Sequence, residues 1–332
     1  MSRPYNVYGL GHALVDIQHT VSPEYLASQT IDKGVMTLIE AERQDSLLAS
    51  LNQKPVTSAS GGSAANTLIG IANFGGQAYY ACQIGQDDWG DFYHSDLEAA
   101  GVGSNPALRQ PGPTGKCLVF ITPDADRTLN TFLGVSSQLG PDQLEEAIIR
   151  DSQYIYLEGY LLSSDNGFAA CQKAQTLARK HSTLVSLTLS DPFMIEVFKE
   201  RFEQLIDNGI DLLFCNEDEA RAYTGAANRD EACRALTAAA AAVCITCGPD
   251  GAYLHQNGCT STVPGVAVQA IDTTGAGDMF AGGVLFGVTN GYTLEQAAQL
   301  GSYAAAQVVA RYGPRLDRPL KDQIPAILAH FA

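Results

Sequence analysis

Basic residues are scarce in this chain: 20 Lys and Arg face 36 Asp and Glu across 332 residues, for a formal charge of −16. That balance excludes a broad positive field, so neither nucleic acid nor an anionic membrane surface is an expected partner. An anionic ligand has to be held locally instead, by helix N-termini, backbone N–H groups or a metal. Long apolar runs are missing too: no stretch approaches the roughly 20 residues of a spanning helix. Residues 1–10 carry one arginine and no signal-peptide core, so a cytoplasmic protein is expected.

A cysteine framework is also absent. The eight cysteines (82, 117, 171, 215, 233, 244, 247 and 259) are scattered, most of them in apolar segments, and free buried thiols are expected. The close pair Cys244 and Cys247 has no second pair and no following histidine at zinc-finger spacing. There is no repeat of fixed period, no low-complexity linker and no G-x-x-x-x-G-K-[ST] phosphate loop. Gly9-Leu10-Gly11 begins a dinucleotide fingerprint, but Leu14 stands at its third glycine. An NAD-dependent Rossmann oxidoreductase is therefore the weaker alternative.

What is present is a two-sided apolar pattern. From about Tyr154 onward, short apolar runs (YIYLEG, TLVSLTLSDP, DLLFCNEDE, AAVCITCG) alternate with longer amphipathic segments. Continuously apolar strands, each followed by a helix, imply a Rossmann-like α/β core: a doubly wound, mostly parallel sheet flanked by helices. The first 135 residues add one similar unit and four strand-like stretches with no helix between them, Val15–Thr20, Val35–Ile39, Lys116–Thr122 and Thr128–Leu133. These are expected on a small antiparallel sheet, a lid whose segments lie at approximately 14–40 and 112–134 within a single domain over residues 1–332.

Three glycine-rich segments stand out. In Asp272-Thr273-Thr274-Gly275-Ala276-Gly277-Asp278, glycines precede an apolar helix. Such a turn either aims free N–H groups at an anion with Asp278 as a proton acceptor beside it, or simply caps a buried helix. Gly61-Gly62 opens another helix, with Asn66 one turn in and able both to donate to and to accept from sugar hydroxyls. Thr246-Cys247-Gly248-Pro249-Asp250-Gly251 reads as a strand end and a tight turn.

Together with the Gly-and-Asp strand ending near Asp16 and with Asn216-Glu217-Asp218-Glu219, these segments resemble, in order and over nearly the whole chain, the ribokinase-like (PfkB) family. The resemblance implies a kinase that moves the γ-phosphoryl group of ATP, with Mg²⁺, to the hydroxymethyl group of a nucleoside or sugar. Asp278 matches the family's catalytic base, and Gly275, Ala276 and Gly277 match its anion hole, with Arg127 reaching over the phosphates from the lid. Asn216 and Glu219 match the pair that orders Mg²⁺ through water. Thr246, Gly248, Gly251 and Thr274 fall with Asn216 on the nucleotide side, and Asp16, His12, Gly61, Gly62 and Asn66 on the acceptor side. An adenine pocket is implied near the segment after Val263 and the helix around Tyr303. GHALVDI, KGVMTLIE, GGSAANT, RTLNTFLG and DTTGAGDMFAGG are similar to the adenosine-kinase-like branch, although His12 replaces the asparagine usual there. The alternative acceptor is a sugar such as ribose, fructose or a keto-deoxy sugar acid. An exposed lid edge is compatible with a monomer or a homodimer.

Overall fold

The computed structural model describes residues 3–51, 54–105, 107, 109–124, 126–316 and 318–331. Strands β1 (Tyr5–Leu10), β5 (Ala78–Ala81), β6 (Val102–Ser104), β9 (Ser152–Glu158), β10 (Leu184–Thr188), β11 (Leu212–Asn216), β12 (Ala242–Thr246), β13 (Ala252–Gln256) and β14 (Cys259–Val263) form one sheet. Their order is β14-β13-β12-β11-β10-β9-β1-β5-β6. All pairs from β12 through β6 are parallel, and β13 and β14 close the edge antiparallel.

The continuous apolar runs are explained by burial on both faces. Val7, Phe214 and Cys244 pack into a core with the helices Ser63–Asn73, Ala276–Thr289 and Leu294–Val309. Their neighbours Tyr8, Leu213 and Ile245 pack on the other face with Asp165–Lys180 and Pro192–Asp207. Every residue from Met279 to Gly287 is buried, so the Ala276 helix runs through the first core. A Cβ added to Gly282 would lie 3.0 Å from the Gly70 Cα. That close approach clamps the Ala276 helix to the Ser63 helix and brings their N-terminal ends together.

The second sheet has the order β3 (Met36–Leu38), β8 (Arg127–Phe132), β7 (Gly115–Ile121), β2 (Leu14–Thr20), β4 (Thr57–Gly61). All four expected strands are in it, but the sheet is mixed: β2 with β7 and β3 with β8 are parallel, while β2 with β4 and β7 with β8 are antiparallel. The expected antiparallel sheet is corrected on this point. Helices and strands of the main sheet intervene between β2 and β7, and so long a connection permits parallel pairing. β4 was not expected, because TSASG has no apolar alternation to read. Thiol burial also needs correction: the cysteines are free, but Cys259 is exposed and Cys82 only partly buried. Among the described residues no helix is long and apolar enough to cross a membrane.

Candidate active site

β1 lies inside the parallel order, between β9 and β5, and the chain leaves its carboxyl end for the small sheet. At such a reversal the loops diverge and open a crevice. Asp278, in the first turn of the Ala276 helix, lines two clefts there, one of about 420 Å³ toward the small sheet and one of about 400 Å³ toward β11 and β12. Its Oδ1 accepts a hydrogen bond from the Ser63 hydroxyl (2.6 Å) and its Oδ2 one from the Asn66 amide (3.0 Å). Enclosure by protein pushes the carboxyl up to about 6, opposed by those two donors.

The turn before this carboxylate is built on Asp272. Its Oδ1 accepts from the Thr274 N–H (2.9 Å) and hydroxyl, and its Oδ2 from the Gly313 N–H (2.8 Å). The Thr274 side chain is thus held by Asp272 and borders the cleft facing the small sheet, away from the expected nucleotide side. The Ala276 N–H bonds the Thr273 carbonyl (3.3 Å), leaving the N–H groups of Gly277 and Asp278 without a partner among the described residues. A Cβ at Gly277 would meet nothing within 4 Å, so bare backbone faces open space at a helix N-terminus. Arg127 pairs with Asp272 at 3.2 Å, and its Nη2 finds no hydrogen-bond acceptor among the described residues. The backbone and guanidinium donors at this turn suit an anion.

The cleft toward the small sheet gathers His12, Asp16, Gly62, Asn66 and Glu158. Gly62 has φ +101°, and a Cβ there would lie 2.1 Å from the His12 carbonyl oxygen, so no other residue fits. Asn66 Oδ1 is buried without a partner among the described residues, an acceptor left for something in the cleft. Burial pushes Asp16 up to about 7, with Arg315 and Arg127 pulling it down. His12 donates from Nδ1 toward the Ser136 carbonyl (3.3 Å), and burial lowers its pKa to about 4 against the backbone of Ser136 and Tyr160.

The other cleft passes Asn216, Glu219, Thr246 and Gly248 and ends on Phe214, Cys244, Phe280 and Ala281. This apolar end is built by β11, β12 and the Ala276 helix rather than by the segment after Val263 or by Tyr303. Gly251 helps form the turn, donating from its N–H to the Gly248 carbonyl and accepting from the Cys247 N–H. Asn216 caps the helix Glu217–Thr224, and Glu219 returns the bond: Oε2 accepts from the Asn216 N–H and Oε1 from its amide.

Residues 30–321 match the family described as pfkB family carbohydrate kinase. The chain belongs to that family. It is a kinase, and the oxidoreductase alternative is set aside. Adenosine kinase of Saccharomyces cerevisiae is 31% identical to it over 326 residues, covering 92% of this chain and 95% of the yeast protein. Among solved structures, a probable sugar kinase from Rhizobium etli CFN 42 aligns with TM-score 0.92 and 33% identity over 100% of both chains. Adenosine kinase from Sinorhizobium meliloti aligns with TM-score 0.91 and 33% identity over 97% of this chain and 99% of that one.

Three residues of the candidate site escaped the sequence reading. Ser63 carried a usable signal, since it stands three residues before Asn66 on one helix face. Glu158 did too, as a lone carboxylate ending an apolar strand at the sheet's carboxyl edge. It is buried, accepts from the N–H groups of His12 (3.1 Å) and Ala64 (2.8 Å), and is pushed up to about 8 by that burial. Arg315 had no local signal. It reaches across the chain to Asp96 (2.7 Å) and the Ser60 hydroxyl (2.6 Å).

Proposed function

We propose that this kinase transfers the γ-phosphoryl group of ATP to the hydroxymethyl group of an adenosine-like nucleoside, with Asp278 as the base. The observation that carries the reading is the position of Asp278 at the meeting of two clefts of unlike character. Toward the small sheet, Met36, Leu38, Leu133, Phe193, Val197 and Phe198 form an apolar wall, while Asp16 and Asn66 stand as polar groups near the base. A free sugar presents hydroxyls on every side and would leave some of them unpaired against that wall, whereas a nucleoside offers a flat base to it and a ribose to the polar end. The yeast and Sinorhizobium relatives named adenosine kinase agree with this choice.

In the proposed reaction the acceptor hydroxyl gives its proton to Asp278 as its oxygen bonds to the γ-phosphorus, and the bond from that phosphorus to the bridging oxygen breaks to release ADP. Charge on the transferring oxygens faces the free N–H groups of Gly277 and Asp278 at the helix N-terminus. The apolar end at Phe214, Cys244, Phe280 and Ala281 is the proposed seat of the adenine.

The donor set also fits Mg²⁺. Among the described residues no three His, Cys, Asp or Glu side chains are grouped to hold a metal alone. Mg²⁺ commonly keeps several waters and takes only one or two carboxylates plus phosphate oxygens. Glu219, with Asn216 beside it, would hold it in that way, and the ion would supply charge neutralisation of the phosphates.

The test is phosphoryl transfer from ATP to adenosine, ribose and fructose in parallel, with Asp278→Asn beside the unaltered enzyme. Adenosine is expected to be the efficient acceptor, and the variant to lose at least ~100-fold in kcat while binding an ATP analogue normally. Higher kcat/KM for a free sugar would reverse the acceptor assignment, and near-normal turnover of the variant would remove Asp278 as base.

A further inference from the structure

We infer that Ser63 is a positioning residue for the base: its hydroxyl, acting with the Asn66 amide, holds Asp278 ionised and aimed between the two clefts. The inference rests on Asp278 being the base proposed above.

A serine at a helix start ordinarily bonds its own turn. Ser63 does not serve that way here, because the N-cap position belongs to Gly62, with no side-chain cap bond. The Ser63 hydroxyl instead crosses to a residue 215 positions away, reaching Asp278 Oδ1 at 2.6 Å. Asn66, one turn further along the same helix, takes the other oxygen at 3.0 Å. Two donors from one rigid face gripping opposite oxygens fix the carboxylate plane. Each carboxylate oxygen retains a second lone pair, so an acceptor hydroxyl can still bind without displacing either donor. Ser63 borders both clefts, as does Asp278, so the grip is applied where donor and acceptor meet.

Beyond the helix N-terminus it sits on, the titratable side chains whose charge reaches Asp278 all work against its ionisation or leave it alone. Asp16 from β2, Glu158 from β9 and Glu219 from the Glu217–Thr224 helix bring like charge, and Tyr156 and Tyr160 are neutral phenols. Ser63 and Asn66 are the groups that pull the base's pKa down. Loss of the Ser63 hydroxyl therefore makes the base harder to ionise, and the acid limb of the rate profile moves to higher pH.

The test is kcat/KM for the acceptor from about pH 5 to about pH 9 in the unaltered enzyme, Ser63→Ala, Ser63→Thr and Asp278→Asn, with ATP-analogue affinity measured alongside. Ser63→Ala is expected to move the acid limb up by about one pH unit and to lose about tenfold on the plateau, with analogue affinity unchanged. Ser63→Thr keeps a hydroxyl and is expected to hold the original limb. An unmoved limb in Ser63→Ala, with Asp278→Asn inactive, overturns the role of Ser63 and leaves the base in place. An active Asp278→Asn enzyme overturns the base itself and, with it, this inference.

Discussion

Asp16 shows how much a single side chain asks of its surroundings. In the β2–β4 register Leu14 faces Gly61, and a Cβ on Gly61 would lie 2.2 Å from the Asp16 carboxyl group, so this carboxylate occupies space only a glycine leaves open. Arg315 and Arg127 supply the positive charge that offsets part of its burial. A carboxylate so placed can accept from two neighbouring hydroxyls, as a ribose diol offers. Asp16→Ala is therefore expected to leave ATP binding intact and to weaken the acceptor by roughly 2–4 kcal/mol, the cost of removing a charged partner in an enclosed site. A deoxynucleoside lacking one of those hydroxyls is expected to lose a similar amount against the unaltered enzyme. Because both changes delete one contact, the two losses are expected not to add. Calorimetric titration of the four enzyme and ligand combinations decides it, and full additivity would take Asp16 off the sugar.

At the scale of an element, the short helix Glu217–Thr224 has its start welded to the end of β11 by the reciprocal Asn216–Glu219 bonds. Glu219 is pushed up to about 7 by burial, against the pull of the Asn216 backbone and with Asp191 and Asp278 adding like charge. A cation would relieve that crowding. Glu219→Gln is expected to raise the Mg²⁺ concentration for half-maximal rate more than the acceptor KM; its amide oxygen keeps the capping bond from the Asn216 N–H, while the bond from the Asn216 amide is lost at a cost of about 1 kcal/mol of stability. A variant that is less stable yet unchanged in its Mg²⁺ requirement would confine Glu219 to the cap. The same contrast explains what could be read from the sequence. Parallel strands such as β9 and β12 announce themselves because both faces are apolar, and Gly61-Gly62 and the Asp272–Asp278 turn because their backbone demands are local. β4 announced nothing, because its small polar residues pair by backbone against β2. The reach of Ser63 to Asp278, and of Arg315 to Ser60 and Asp96, exists only once distant segments have packed.

At the scale of the whole molecule, an acidic chain holds further buried carboxylates at its centre, and the two facts act in the same direction. Asp16 rises to about 7, Glu158 to about 8, Glu219 to about 7 and Asp278 to about 6, each through burial first. The ligand-free folded protein thus holds protons on these groups that the unfolded chain has already released. Their contribution to stability is complete below ordinary carboxylate values and is lost as pH climbs through about 6 to 8. His12, lowered to about 4 by burial, works the other way, but only below its ordinary value of 6.5, outside most of that window. The net charge of −16 adds self-repulsion that also grows with pH. Thermal unfolding of the ligand-free protein is therefore expected to move to lower temperature between about pH 6 and about pH 8.5, and Mg²⁺ with an ATP analogue to raise the midpoint by binding the folded state. Glu158→Gln separates the two causes: it removes one titrating group and leaves the surface charge untouched, so its midpoint is expected to fall less steeply over the same interval, whatever its absolute stability. A decline as steep as that of the unaltered protein would assign the effect to surface repulsion, and a midpoint that rises with pH would mean that these carboxylates are already ionised in the folded state.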